Sequence, residues 1–317
     1  FVRLSVDLTK LNLGLLCKEN LMSIKIGNAP CSWGVEWADD PRNPSWETVL
    51  MECQQAGYDG IELGPIGFMP EDPNQLGDAL GKYSLELIGG VVFQPFHDAS
   101  AQTKVMGKAR RTAEALVAHG AKQMVLIDSI SEQRAPFAGR PNEAVTMAEA
   151  DWVSFVNRIR DVATMGTDEY GLTVSIHSHA GGYMDFKTEL DALLNEIDER
   201  YLKICVDTGH QTYAGFDPVA FIDQNFERVS YIHVKDIDPE VQAAVIENRT
   251  GFYDACGQGI FCNLGKGSVD FLAARQLLLN RGYAGWITVE QDCDPSLDVS
   301  PLQDAASNRQ FLSAVGF

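Results

Sequence analysis

The sequence predicts an α/β fold, a single (β/α)8 TIM barrel with eight parallel strands closed into one sheet. Three observations lead there. Short apolar runs alternate with longer stretches of helical period, eight times across residues 22–317. Several helical stretches stop at a glycine from which the chain turns into the next run. Every apolar run closes on a polar or ionisable residue, as expected where strands end at the working face of a barrel.

The first run is KIGNA around Ile26, and the second, DGIEL, ends at Leu63. LELIGGVVF ends at Phe93 and KQMVLID at Asp128. LTVSIH, LKICVD and VSYIHV follow, and GWITVE closes the series at Glu290. Between the first two runs, SWETVLMECQQA opens on Ser45, a natural N-cap, with Thr48 where a capping box would carry Glu, and stops before Gly57. Residues 103–119 stop before Gly120 in the same way, residues 147–165 end at Gly166, and residues 269–280 end just short of Gly282. Short joints between strand and helix imply parallel strands with crossover helices. An open doubly wound sheet is the competing architecture, but no GxGxxG opens a helix, and GKGSVD around Gly265 reads as a loop that follows no strand. Two long connections, 129–146 and 237–268, are expected to lie over the site as lids. Residues 1–21 are expected to be an N-terminal extension outside the barrel domain of 22–317, because Asp7, Lys10 and Lys18 interrupt any signal-like apolar stretch.

Composition narrows the function. The chain has 317 residues, 45% hydrophobic and 22% charged, enough for one large core. No apolar run approaches the roughly 18 residues of a membrane span. A net charge of −19 repels nucleic acid and anionic lipid. Seven scattered cysteines without a CxxC pair point to a reducing, cytoplasmic setting without a disulfide framework.

The strand ends supply Asn28, Glu62, Gln94, Asp128, His177, Asp207, His233 and Glu290. A lone histidine on a strand is usually a hydrogen-bonded core residue. His233 beside Asp207 and Glu290 on neighbouring strands differs, since buried charges need compensation and a divalent cation provides it. Oxygen and nitrogen ligands suit Mn²⁺ first, with Co²⁺, Mg²⁺ or Zn²⁺ as alternatives. Trp33 in CSWG offers a ring to stack on substrate or to fill the core, and Glu62, Gln94, Asp128 and Asp185 are candidate substrate contacts.

Taken in order, NAPCSWG, AGYDGIELGPIGFMP, VDTGH, HVKD, LGKGSVDF and GYAGWITVEQD make the chain resemble the xylose isomerase-like barrels, a superfamily of sugar isomerases, epimerases and dehydratases. The resemblance runs from Ile24 almost to the C-terminus. NAPCSWG and ELGPIGFMP further resemble the branch that contains inosose dehydratases of inositol breakdown. The resemblance implies one divalent metal held by Glu, Asp, His and Glu from strands five to eight. Asp207, His233 and Glu290 match the last three. The first falls on His177, in His177-Ser178-His179, where relatives commonly carry E-x-H. Either His177 coordinates, or Asp185 swings in from the following loop.

The implied chemistry is removal of a proton beside a ketone, with the enediolate stabilised by the metal. His179 is the first choice of base, with Glu290 or Glu62 as alternatives; His210 and Lys235 are candidates to protonate a departing hydroxyl. The expected substrate is a cyclic polyol ketone of the 2-keto-myo-inositol type. The alternatives are a ketose or sugar phosphate isomerase or 3-epimerase, and a non-catalytic sugar-binding or partner-subunit barrel. A homodimer is compatible with this reading.

Overall fold

Runs of β-branched and aliphatic residues bounded by Gly, Asp or Asn form the strands of the barrel in the computed structural model, which describes residues 24–292 and 300–317. The expected extension at 1–21 lies outside the described residues. The barrel strands are β1 (Lys25–Asn28), β2 (Gly60–Glu62), β3 (Glu86–Gln94), β4 (Gln123–Asp128), β5 (Thr173–His177), β6 (Lys203–Asp207), β7 (Val229–Val234) and, after a small hairpin, β10 (Trp286–Val289). They close in the order β1-β10-β7-β6-β5-β4-β3-β2, every pairing parallel. All eight expected runs therefore become barrel strands.

The helices follow their caps. Ser45 accepts the Thr48 N–H and starts the helix Trp46–Gln55, so the cap works without the capping-box carboxylate. The other three expected helices run Gln102–Ala118, Glu149–Asp168 and Phe271–Arg281. Aliphatic side chains on their inner faces pack against the outside of the sheet and make the main core, including Leu50, Leu116, Ile159 and Leu278. A second, smaller cluster of Phe93, Val125, Ile127, Cys205 and Tyr231 fills the barrel interior below the mouth.

The long connection 237–268 is not simply a loop. It carries the helices Pro239–Glu247 and Phe252–Gly257 and the antiparallel hairpin of β8 (Asp236–Ile237) with β9 (Phe261–Cys262). The GKGSVD segment is a loop, but it does follow a strand, the two-residue β9. Its function in the fold is visible: the N–H groups of Gly265, Gly267 and Val269 donate to the buried Asp236 carboxylate. A Cβ on Gly267 would come within 2.3 Å of that carboxylate, so the close approach needs glycine.

Candidate metal centre and active-site cavity

Four adjacent strands of the barrel deliver four ligand-type side chains to one point. His177 ends β5, Asp207 ends β6, His233 lies one residue before the end of β7, and Glu290 follows β10. Asp207 and His233 are in direct register, as are His233 and Thr288. Each of the four brings a donor atom within 4.8 Å of the others, and all four residues are buried. His177 Nε2 lies 3.3 Å from Asp207 Oδ2. His233 Nδ1 lies 3.2 Å from Glu290 Oε1. The other face of His233 is held by Glu62, with 2.9 Å between Nε2 and Oε1.

This set fits a divalent cation on the structure's own evidence. His177 Nδ1 and Glu62 Oε2 are buried polar atoms without a hydrogen-bond partner, and such atoms are rare in a satisfied interior. Three carboxylates (Asp207, Glu290 and Asp292) face the Lys235 ammonium and a fourth, Glu62, faces His233, so negative charge is in excess. Burial alone would raise the Glu290 carboxyl, yet His233 and Lys235 hold it down at about 2. Asp207 is likewise kept well below the carboxylate range by Lys235 and His210 in spite of burial. Both carboxylates are therefore ionised at neutral pH and ready to hold a cation.

A second cluster adjoins the first. His179, His210 and Asp292 bring donor atoms within 4.8 Å of one another, and the rings of His179 and His210 lie tilted by 34° with centroids 4.0 Å apart. Lys235 Nζ stands 3.1 Å from His210 Nε2 and 3.0 Å from Asp292 Oδ2. Two tautomers follow from the partners. His179 Nδ1 lies 2.9 Å from the Ala180 carbonyl, which only accepts, so Nδ1 carries the proton and Nε2 keeps its lone pair. His210 Nδ1 accepts the Ala180 N–H, so its proton sits on Nε2, on the side of Asp292. Burial, with the neighbouring imidazoles of His210 and His177, pushes His179 well below 6.5, and it stays neutral.

Above these clusters is a cavity of about 250 Å³ with His179, Glu62, Glu290 and Asp292 on its polar side. Val35, Phe93, Ile127 and Phe252 form an apolar wall. The two long connections contribute as expected of lids: Ile130 comes from the first, and Phe252, Tyr253 and Cys256 from the second. Tyr253 donates its hydroxyl proton to Glu36 at 3.1 Å, joining the seventh connection to the first across the mouth.

The remaining candidates lie elsewhere. Trp33 is 3% exposed, belongs to the outer core and donates its indole N–H to Glu52 at 2.7 Å. Gln94 donates to the Phe93 carbonyl and borders a separate cavity beside Trp37 and Lys108. Asp128 accepts from His97 and from the Tyr183 N–H, so it anchors two loops. Asp185 accepts the Gly181 N–H and lies outside both clusters, and burial raises its carboxyl to about 8. Asn28 is buried and accepts from the Ala29 N–H. Cys31 lines the cavity, but burial and the Glu290 charge hold its thiol protonated.

Asp292 was missed, although the sequence carries a signal for it: a second carboxylate two residues after Glu290 in VEQD. Glu36 and Tyr253 were missed because no local pattern marks residues that meet across a mouth.

The fold and the four-strand ligand cluster define a TIM barrel protein with a metal-competent site at the C-terminal face of its strands. The family model for xylose isomerase-like TIM barrels matches residues 50–315, and the chain belongs to that family. It is 30% identical over 319 residues to the rhizopine catabolism protein MocC of Rhizobium meliloti, covering 95% of this chain and 92% of that protein. It is 29% identical over 293 residues to the inosose dehydratase of Geobacillus kaustophilus, covering 91% and 93%. Among solved structures, the IolI protein with a bound zinc atom superposes with a TM-score of 0.69 at 13% identity, over 92% of this chain and 98% of that one. That last likeness is one of fold. No described helix is long and apolar enough to cross a membrane.

Proposed function

We propose that this chain is a divalent-metal-dependent dehydratase acting on a cyclic polyol ketone of the inosose type. The observation that carries the reading is the convergence of His177, Asp207, His233 and Glu290 within 4.8 Å beneath a cavity that also presents His179. The similarity to inosose dehydratases over nine-tenths of the chain supports the substrate class. The four residues would hold the ion, with Mn²⁺ the first candidate and Co²⁺, Mg²⁺ or Zn²⁺ the others. Bound there, a divalent ion supplies Lewis acidity to a ketone oxygen and its neighbouring hydroxyl.

The protein's own groups do the rest. His179 Nε2 has the free lone pair and takes the proton beside the ketone. The proton then held on His179 Nε2 passes to the hydroxyl that departs as water, which returns His179 to its neutral form, while the buried His210 beside it helps to keep that form neutral at rest. The Phe93, Ile127 and Phe252 wall excludes water and covers the apolar edge of a ring. Asp185, fixed by Gly181, is not needed as a ligand, and His177 takes the first place.

The test is a substrate panel of 2-keto-myo-inositol and several ketohexoses, with metal present. Appearance of a conjugated dione absorbance from the inosose is the expected result. Formation of an epimeric ketose, with no dione, would instead make the protein an epimerase.

His177→Glu tests the first ligand. A carboxylate in this position adds a negative charge to the set, so the variant is expected to bind metal about tenfold or more tightly and to turn over more slowly. Unchanged affinity and rate would remove His177 from the ligand set.

A further inference from the structure

We infer that the Lys235 ammonium is the resident second cation of this centre, occupying a position that a second divalent ion would otherwise take and so setting the metal content at one ion per chain. This rests on the proposed metal quartet and concerns the cluster beside it. The ammonium lies 3.0 Å from Asp292 Oδ2, 3.3 Å from Glu290 Oε2, 3.7 Å from Asp207 Oδ2 and 3.1 Å from His210 Nε2. Asp207 and Glu290 thus face both positions. Glu290 points Oε1 to His233 and Oε2 to Lys235. A centre with a shared pair of carboxylates and separate histidines on each side has the donor set of a two-metal site.

The fold is built to keep the lysine there. Its N–H donates to Thr208 Oγ at 2.9 Å, and the Thr208 hydroxyl donates to its carbonyl at 2.7 Å, which fixes the backbone. Its stem passes over Gly209, where a Cβ would come within 2.6 Å of Lys235 Cγ. The head also rests over the Phe261 ring, 4.8 Å from its centroid. The residue is 1% exposed and does not line the cavity, so it acts by charge and position, not by touching substrate.

Without the ammonium, Asp292, Glu290 and Asp207 would be left with buried charge unbalanced. His179 Nε2 is an available nitrogen ligand beside them. His210 can join if its ring proton moves to Nδ1, at the cost of the 3.2 Å bond from Ala180.

The experiment is a metal count by elemental analysis and by calorimetric titration with Mn²⁺ or Zn²⁺ on wild type, Lys235→Ala and Lys235→Ala/Asp292→Asn, with circular dichroism as the check on folding. Wild type is expected to hold one ion, Lys235→Ala two, and the double variant one again. Lys235→Gln, which keeps the stem packed on Gly209 and Phe261, stands in if the alanine variant does not fold, and two ions are expected there as well. A folded Lys235 variant that holds one ion overturns the proposal, and so does a wild type that holds two. A wild type that binds none overturns the quartet itself, and with it this proposal, an outcome read before any variant is made.

Discussion

Asp207→Asn is expected to fold, to bind the divalent ion at least about 100-fold more weakly, and to lose activity by about 10³-fold or more, since Lewis-acid stabilisation is worth several kcal/mol. The substitution is chosen for what it keeps. Asp207 Oδ1 caps the helix Thr208–Tyr213 by accepting the His210 N–H at 2.7 Å, and an asparagine oxygen can do the same. What it removes is the charge on Oδ2, the atom facing His177 and Lys235. Loss of one carboxylate from beside a buried lysine costs about 1–3 kcal/mol of stability, which a thermal melt will register. Elemental analysis and the substrate assay provide the two main readouts. A variant with undiminished metal content would show that the four-strand cluster is not where the ion binds.

His179→Asn is expected to lower kcat by about 10²–10⁴-fold, the usual worth of a positioned general base, while metal content stays at the wild-type level. The asparagine amide can still donate to the Ala180 carbonyl, as His179 Nδ1 does, so the loop keeps its contact and only the Nε2 lone pair goes. The pH profile makes the assignment specific. Burial, then His210 and His177, hold the imidazole well below 6.5. A base with a depressed pKa is competent above that value and is lost as pH falls through it. The wild-type rate should therefore be flat around neutrality and fall on the acid side, below pH 6.5. In the variant this limb should disappear from the residual rate. An acid limb that persists, with falling metal content, would belong to the ligands and not to His179.

Much of this centre is legible along the chain, for a definite reason. A parallel strand buried on both faces is an apolar run, and the first polar residue after it must lie at the strand's C-terminal end. Asp207 after LKICV and Glu290 after GWITV follow that rule, and the barrel brings their ligand atoms within 4.8 Å of those of His177 and His233. The same rule is silent on direction. Gln94 and Asp128 also close strands and are in register with each other, yet one bonds its neighbour's carbonyl and the other ties down His97 and Tyr183. A position at a strand end therefore makes a residue a candidate; side-chain packing decides whether it faces the cavity.

Trp33 illustrates a different limit. Its place after the first strand was plain in the sequence, but a ring can face substrate or core, and the partner that settles it, Glu52, lies 19 residues away. Tyr253 and Glu36 are 217 residues apart and meet only because the seventh and first connections border the same mouth. The long connection 237–268 was recognisable as a cover by its length, while its two helices and hairpin were hidden, because short elements there are held by Asp236 and by a local cluster around Tyr213 and Phe261.

The sequence by itself determined the eight-stranded barrel, the level at which His177, Asp207, His233 and Glu290 stand, and the acidic character of the chain, because these depend on periodicity, strand ends and composition. Only the tertiary structure decided that Lys235 lies between Asp207, Glu290 and Asp292, that His179 keeps its lone pair on Nε2, and that Trp33 and Asp128 serve the scaffold. Each of those depends on which groups from distant strands and loops come into hydrogen-bond or ion-pair contact, a matter of closure and packing that no local pattern encodes.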